Sequence, residues 1–225
     1  MIFDVLTDIT RFTHFVGFAI GIGAGSFADW SIIKKLGSEI TTCDLNNLET
    51  VHKLVWAGLG LLWVSGLGLI YIRTGMELSN FTPKLVMKLF VVSLLTLNAV
   101  LLGRFAMPIL ARNVNKAYLS FSLEDKTILC VLGAISICSW MCGLILGIFA
   151  ALKMASFAFL FPLFIGLYSA ALVGAIGFTI AMHIIWERRL AGAGEDALRS
   201  IDINNIISVP KSIVAVQPAK LAPAS

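Results

Sequence analysis

Five long apolar stretches determine what this chain can fold into. A helix needs roughly 20 mostly apolar residues to cross the hydrocarbon core of a bilayer. The stretches that meet this requirement cover residues 9–28, 51–72, 85–102, 127–152 and 157–182. Only 13% of the residues are charged, so a soluble fold of this chain would lack polar surface. The sequence therefore predicts an all-α integral membrane bundle of five transmembrane helices.

Lysine and arginine are distributed unevenly between the two sides that alternating spans define. Most of the 17 basic residues fall in the connections 29–50 and 103–126 and after residue 182. Because basic connections tend to remain in the cytoplasm, we expect an outside amino terminus and a cytoplasmic carboxyl terminus. A bacterial inner membrane is the expected location, and an organelle membrane also fits. The net charge of +4 is then explained by topology and by anionic lipid headgroups. The bilayer is the expected partner, and no nucleic acid is expected.

The composition changes after the fifth stretch. A glycine and alanine segment follows residue 189, and the chain ends in a tail that contains Pro210, Pro218 and Pro223. We therefore expect residues 1–189 to form the five-helix membrane domain. Residues 190–225 are expected to form a weakly structured cytoplasmic tail.

His14 lies inside the first apolar stretch, on the face that carries its glycines. At about 100° per residue, His14 projects onto the same stripe as Gly17, Gly21 and Gly25. Small residues spaced four apart let helices approach closely in lipid. We therefore expect His14 to face protein rather than lipid. A neutral, hydrogen-bonded packing histidine and a ligand-binding histidine both fit this position.

Lys88 lies at a similar depth in the third apolar stretch. With a rise of 1.5 Å per residue, His14 is roughly 7 Å and Lys88 about 6 Å below the same end of the bundle. Ionisable groups are costly in hydrocarbon and usually mark function. If the first and third helices are neighbours, His14 and Lys88 form a candidate catalytic pair. The alternative for Lys88 is that its long side chain reaches the headgroups.

The other two histidines lie at the opposite end of the predicted bundle. His52 begins the second helix beside Trp56, and His183 closes the fifth. Haem iron takes axial histidine ligands, so these two residues could clamp a haem b or a porphyrin. The alternative is that both residues are interfacial helix ends, where tryptophan also gathers. His14 cannot join this pair, because a bilayer of about 30 Å lies between the two ends.

Three of the four cysteines lie in the fourth apolar stretch. Cys138 and Cys142 are one helical turn apart, and soft thiolate ligands suit Cu(I). Cysteine is also a small apolar residue that fills gaps in helix packing. The cysteines do not form the pattern of a disulfide scaffold.

Three helix sequences carry a resemblance to a known family. The histidine-led first helix is "THFVGFAIGIGAGSFADW", the second is "VHKLVWAGLGLLWVSGLGLI", and the lysine-led third is "PKLVMKLFVVSLLTLNAVLLGR". Over approximately the first 110 residues, the chain resembles the CopD and HemJ-like polytopic membrane proteins, which include copper-resistance proteins and a protoporphyrinogen oxidase of the haem pathway. The resemblance implies that the functional histidine and lysine of the oxidase branch fall on His14 and Lys88.

Three functional hypotheses follow, and whether the protein is an enzyme stays open. The first is a redox-linked membrane protein that binds a b-type haem or a porphyrin through His14 or His52, with Lys88 holding an anionic group. The second is a non-catalytic subunit or assembly factor, packed against a membrane-protein partner or as a homo-oligomer. The third is a small transporter of metal or another solute that uses Lys88, Asn98 or the thiols of Cys138 and Cys142.

Overall fold

The computed structural model describes the backbone of residues 2–200 and the side chains of residues 2–192. The described residues are mostly helical, and five helices are long and apolar enough to cross a membrane. We number the helices in chain order. The helices are α1 (Ile2–Lys34), α2 (Thr42–Thr74), α3 (Pro83–Leu101), α4 (Met107–Arg112), α5 (Leu123–Ile148) and α6 (Phe157–Ser200).

The helices α1 and α2 form the closest pair in the fold. Gly17 and Gly21 of α1 and Gly58 of α2 are all buried. A Cβ atom added to Gly58 would lie 2.8 Å from the backbone nitrogen of Gly21 and 2.9 Å from the carbonyl oxygen of Gly17. The glycine stripe of α1 is therefore a helix contact, as its spacing predicts, and the two backbones touch without intervening side chains.

Local signals set both ends of α2. The Thr41 hydroxyl accepts a hydrogen bond from the Asp44 backbone N–H, and the Asp44 carboxylate accepts one from the Thr41 N–H, which forms a capping box. At the other end, Gly75 adopts a left-handed conformation with φ of 62°. Glycine takes this conformation without steric cost, and the chain turns there towards α3.

The third span consists of α3, a π-helical segment at 102–106 and α4. Proline inside a helix normally kinks or ends it, because it lacks the N–H and clashes with the preceding turn. Here the helix continues through Pro108 to Arg112. The Met107 N–H bonds to the Leu102 carbonyl five residues back, so the π-helical turn absorbs the disturbance that Pro108 causes. The span therefore ends beyond the predicted residue 102.

The helices α3, α5 and α6 share an apolar core. Its buried residues are Met87, Val91, Cys142, Leu146, Leu160, Phe164 and Tyr168. Within this core the hydroxyls of Ser139 and Tyr168 are 2.8 Å apart. A hydrogen bond from the Trp63 indole to the Thr96 hydroxyl, at 2.9 Å, joins α2 to α3. These contacts complete the bundle of five spans.

The fifth span lies within α6, which continues as a helix beyond the predicted end of the membrane domain. Residues 190–200 are helical, so the expected weakly structured tail begins as a continuation of α6. The rest of that predicted tail, residues 201–225, lies outside the described residues. Residues 1–183 form one compact unit, and every site described below lies within it.

Many large apolar side chains on the helices point away from the bundle. Phe12, Phe15, Val64 and Val173 are each at least 70% exposed. Such exposure is unfavourable in water and is what lipid-facing positions require. Together with the five spans, it is typical of a multi-pass membrane protein.

Candidate functional site

The alternating helices place the candidate residues at two opposite ends of the bundle. The end formed by the start of α1, the end of α2 and the start of α3 carries His14 and Lys88, and we call it the His14 end. The opposite end, formed by the end of α1 and the starts of α2 and α5, carries His52, and we call it the His52 end. Each end holds a distinct group of polar side chains.

At the His14 end, α2 holds the imidazole of His14. The His14 Nδ1 atom is 3.0 Å from the Ser65 hydroxyl, which is itself hydrogen-bonded to the Leu61 carbonyl. Ser65 therefore donates to its own helix and accepts from the Nδ1–H of His14, which leaves Nε2 as the acceptor nitrogen in the neutral ring. No residue that the structure describes bonds to Nε2. The imidazole faces protein, as the glycine stripe predicts.

Two lysines of α3 differ in their surroundings at this end. Lys84 is only 7% exposed and donates a hydrogen bond of 2.7 Å to the Phe149 carbonyl at the end of α5. Lys88, one turn further in, is half-buried and forms no hydrogen bond or ion pair with any residue between 2 and 192. The charged neighbours that act on Lys88 are Lys84, Arg73 and Lys153, which are all cations.

His14 and Lys88 lie towards the same end of the bundle on different helices. The Lys88 ammonium acts electrostatically on the His14 imidazole, whereas the helix that packs closely against α1 is α2. The His14 end therefore combines an imidazole with an ammonium whose charged neighbours among the described residues are all cations. An anionic group would be attracted there, because opposite charges interact strongly where water is scarce.

At the His52 end, Trp56 is hydrogen-bonded to one ring nitrogen of His52. The indole N–H of Trp56 donates to His52 Nε2 at 3.1 Å. An indole N–H can only donate, so Nε2 is the acceptor, and the proton of the neutral ring is on Nδ1. A Cβ atom on Gly103 would lie 3.1 Å from the same Nε2, so the π-helical segment also crowds this nitrogen. His52 Nε2 is therefore poorly placed to bind iron.

His183 is held by a lysine from another helix. Its Nδ1 atom is 3.1 Å from the Lys126 amine, which also donates to the Leu119 carbonyl at 3.0 Å. Lys126 is only 1% exposed. Of the two histidines predicted to clamp a haem, His52 lines the cavity at this end and His183 is not among its lining residues.

Next to Lys126, a buried carboxylate connects α4 to α5. Asp125 is 5% exposed, and its carboxylate accepts hydrogen bonds from Arg112 and from Asn113. The Tyr118 hydroxyl donates to the Lys126 carbonyl at 3.3 Å, and burial raises the pKa of this phenol. The phenol thus remains protonated and keeps its donor role. The sequence analysis counted Lys126 only among the basic residues on the cytoplasmic side, and its burial was not predicted.

The thiols of α5 lie in an apolar environment. The sulfur atoms of Cys138 and Cys142 are 3.9 Å apart, and Met87, Val91 and Leu146 surround the buried Cys142. Among residues 2–192, no group of three or more His, Cys, Asp or Glu side chains is arranged to hold a metal ion. These surroundings favour the role of Cys138 and Cys142 as packing residues.

A cavity of about 440 Å³ opens at the His52 end. Its wall is mostly apolar and comes from α1, α2, the π-helical segment, α4, α5 and α6. The polar side chains in this wall are Asp29, His52, Tyr118, Cys130 and Ser136. Sequence reasoning missed Asp29, which directly follows the first apolar stretch and therefore resembles the start of a polar connection. The position of this carboxylate, one residue after an apolar run, is the sequence feature from which a place in the helix bundle could have been predicted.

Comparisons with known proteins give no further guide to these sites. No protein-family model, no curated protein and no solved structure matches the chain.

Proposed function

We propose that this protein is a membrane-embedded binder of a b-type haem or a porphyrin in a redox-linked role, with its site at the His14 end. The observation that carries the proposal is the combination of His14 and Lys88. One offers an imidazole that Ser65 and the Leu62 carbonyl of α2 hold in place, and the other offers an ammonium whose charged neighbours among the described residues are all cations. The resemblance to CopD and HemJ-like proteins supports the same two residues.

The chemistry of these two side chains fits two parts of a haem, the iron at its centre and a propionate at its edge. Imidazole is a common axial ligand of haem iron, and Ser65 fixes the ring so that Nε2 is the free acceptor. Such a hydrogen bond on the far nitrogen orients a ligating histidine. The Lys88 ammonium would pair with a propionate, which arrives as an anion. A bound haem would supply one-electron chemistry, and His14 and Lys88 would hold and orient it.

Orientation and location belong to the same proposal. The basic connections favour an outside amino terminus and a cytoplasmic carboxyl terminus, in a bacterial inner membrane. With that orientation, the His14 end lies near the outer leaflet. The ligand would reach it from the lipid or from the outer aqueous phase.

Titration of the purified protein in lipid nanodiscs with ferric haem and with protoporphyrin IX tests the proposal. We expect saturable binding of both by the wild type. Lys88→Met should weaken both about tenfold, since a hydrogen bond to a charged group contributes roughly 1.5 kcal/mol. His14→Ala should remove the spectral signature of imidazole-ligated iron and affect haem more than the iron-free porphyrin.

Two control variants separate the possible sites. Lys53→Met removes an exposed lysine of the opposite end, which pairs with Glu49, and should leave binding unchanged. His52→Ala should also leave binding unchanged. Loss of haem binding in His52→Ala with full binding in His14→Ala would place the ligand at the other end and refute the proposal.

A further inference from the structure

The cavity at the His52 end differs chemically from the His14 end. The only formally charged side chain in its wall is Asp29, and this carboxylate forms no ion pair or hydrogen bond with any described residue. A carboxylate repels anions, so the propionates of a porphyrin would be disfavoured here. The cavity therefore suits a ligand other than that of the His14 end.

Small residues create the cavity. Its wall includes Gly25 and Ala28 of α1, Gly133 and Ala134 of α5, and Gly174 and Ala175 of α6. A Cβ atom on Gly133 would meet only the Asp29 carboxylate, at 3.7 Å, and one on Gly174 would meet nothing within 4 Å. A volume of about 440 Å³ lies in the usual range of small-molecule sites, roughly 300–1,000 Å³. The space can hold a ring with a short chain.

The polar groups in the wall define what the ligand must offer. The Asp29 carboxylate accepts hydrogen bonds. Because Trp56 donates to Nε2 of His52, the neutral His52 ring has its remaining N–H on Nδ1 and is a donor. A head group that meets both must donate to Asp29 and accept from His52, which a hydroxyl does and an ammonium cannot.

A second polar position lies deeper in the cavity. Ser136 is only 9% exposed and lines the cavity, and its hydroxyl has no hydrogen-bond partner among the described residues. It follows Gly133, the neighbour of Asp29, by three residues, roughly 4.5 Å along α5. Its hydroxyl is thus available to a ligand in the cavity. Asp29 and Ser136 thus lie at different depths in the cavity, and a flat ring with an oxygen at each end can place one oxygen at each depth.

We propose that this cavity binds a membrane-soluble hydroquinone, a neutral ring with a hydroxyl at each end and an apolar tail. One hydroxyl bonds to Asp29 and His52, and the other bonds to Ser136. The ring packs against the small residues of α1, α5 and α6, and the tail extends into lipid. The proposal is independent of porphyrin binding at the His14 end.

Binding of radiolabelled 2-decylhydroquinone to the protein in nanodiscs, kept anaerobic, tests this proposal. We expect saturable binding above that of protein-free nanodiscs. Gly133→Leu fills the cavity without meeting a backbone atom and should weaken binding by a factor of roughly ten or more. Gly174→Leu fills the cavity from α6 and should weaken binding to a similar extent. The second variant keeps the test valid if one of the two proteins fails to fold.

The matched control is Gly147→Leu, also on α5, where an added Cβ meets nothing within 4 Å and no cavity wall is involved. It should bind as the wild type does. Asp29→Asn should weaken binding about fivefold to tenfold. The dimethyl ether of the same hydroquinone has no hydroxyl donor, so it should bind about tenfold more weakly than the hydroquinone and be insensitive to Asp29→Asn.

Four results would overturn the proposal. One is wild-type binding no greater than that of protein-free nanodiscs, and another is unchanged binding in both folded leucine variants. The third is equal affinity for hydroquinone and ether. The fourth is displacement of the hydroquinone by decylamine at lower concentrations than by unlabelled hydroquinone, which would show that the cavity selects an amine.

Discussion

Gly58→Val is expected to lower the free energy of unfolding by about 3 kcal/mol. The added Cβ would lie 2.8 Å from the Gly21 nitrogen and 3.0 Å from its Cα, so no side-chain rotation relieves the clash. The helices α1 and α2 must move apart, and the packing of the whole crossing weakens. Thermal unfolding of the purified protein in detergent, followed by circular dichroism, measures the effect.

Gly60→Val is the matched control for this variant. It lies on the same helix two residues away, and an added Cβ there meets nothing within 4 Å. We expect a change of no more than about 0.5 kcal/mol, from helix propensity alone. Equal stability of the two valine variants would show that α1 and α2 do not cross at Gly58.

Trp140→Ala is expected to cost about 3 kcal/mol. The indole is 2% exposed and packs against Phe18, with ring centroids 5.5 Å apart. It also fills the space beside Gly21, where an added Cβ would lie 2.1 Å from the ring. Truncation leaves a cavity at the centre of the bundle. Dissociation of α1 from α5, measured by crosslinking across the seam, should accompany the loss of stability.

The size of this effect follows from two opposing contributions. Truncation of a buried tryptophan costs roughly 3–5 kcal/mol in soluble proteins. The Trp140 N–H has no partner among the described residues. Removing this unsatisfied donor reduces the loss of stability by about 1 kcal/mol. Trp30→Ala is the control, since Trp30 is 55% exposed. A Trp140→Ala variant as stable as Trp30→Ala would contradict the packing described for α5.

The five spans could be predicted because the requirement for apolar length is local. Each residue contributes its own hydrophobicity, so a run of apolar residues identifies a span without knowledge of its neighbours. The length of the third span was harder to predict. Pro108 favours a break by local rules, whereas the π-helical turn at 102–106 accommodates it. Local rules do not decide whether a helix ends at a proline or continues past it through such a turn.

The inward direction of His14 was predictable from its position on the glycine stripe of α1. Its bond to Ser65 was not, because Ser65 lies on another helix and the register of α1 on α2 depends on the close contact at Gly58. The contact of His52 with Trp56, by contrast, joins residues one turn apart on the same helix, and side chains at this spacing are neighbours on a helix surface. The donor and acceptor roles of these two histidines can be assigned only when their hydrogen-bond partners are known.

The cavity at the His52 end was not predicted. Its wall comes from residues that are far apart in sequence, and the glycine and alanine residues among them leave the space open. Asp29 and Lys126 follow or precede apolar runs, where charged residues are commonly solvated. In this fold Asp29 lines a cavity and Lys126 is buried against α6. Their positions depend on tertiary packing, which the local pattern does not encode.

The visible absorption spectrum of the wild-type protein, purified from cells with ample haem, tests the central claim most directly. We expect a Soret band that is lost or shifted in His14→Ala and kept in His52→Ala. The contrary result is a wild-type protein without a Soret band, from which organic extraction recovers no porphyrin. That result would leave the five-span bundle standing and would end the assignment of the His14 end as a haem or porphyrin site.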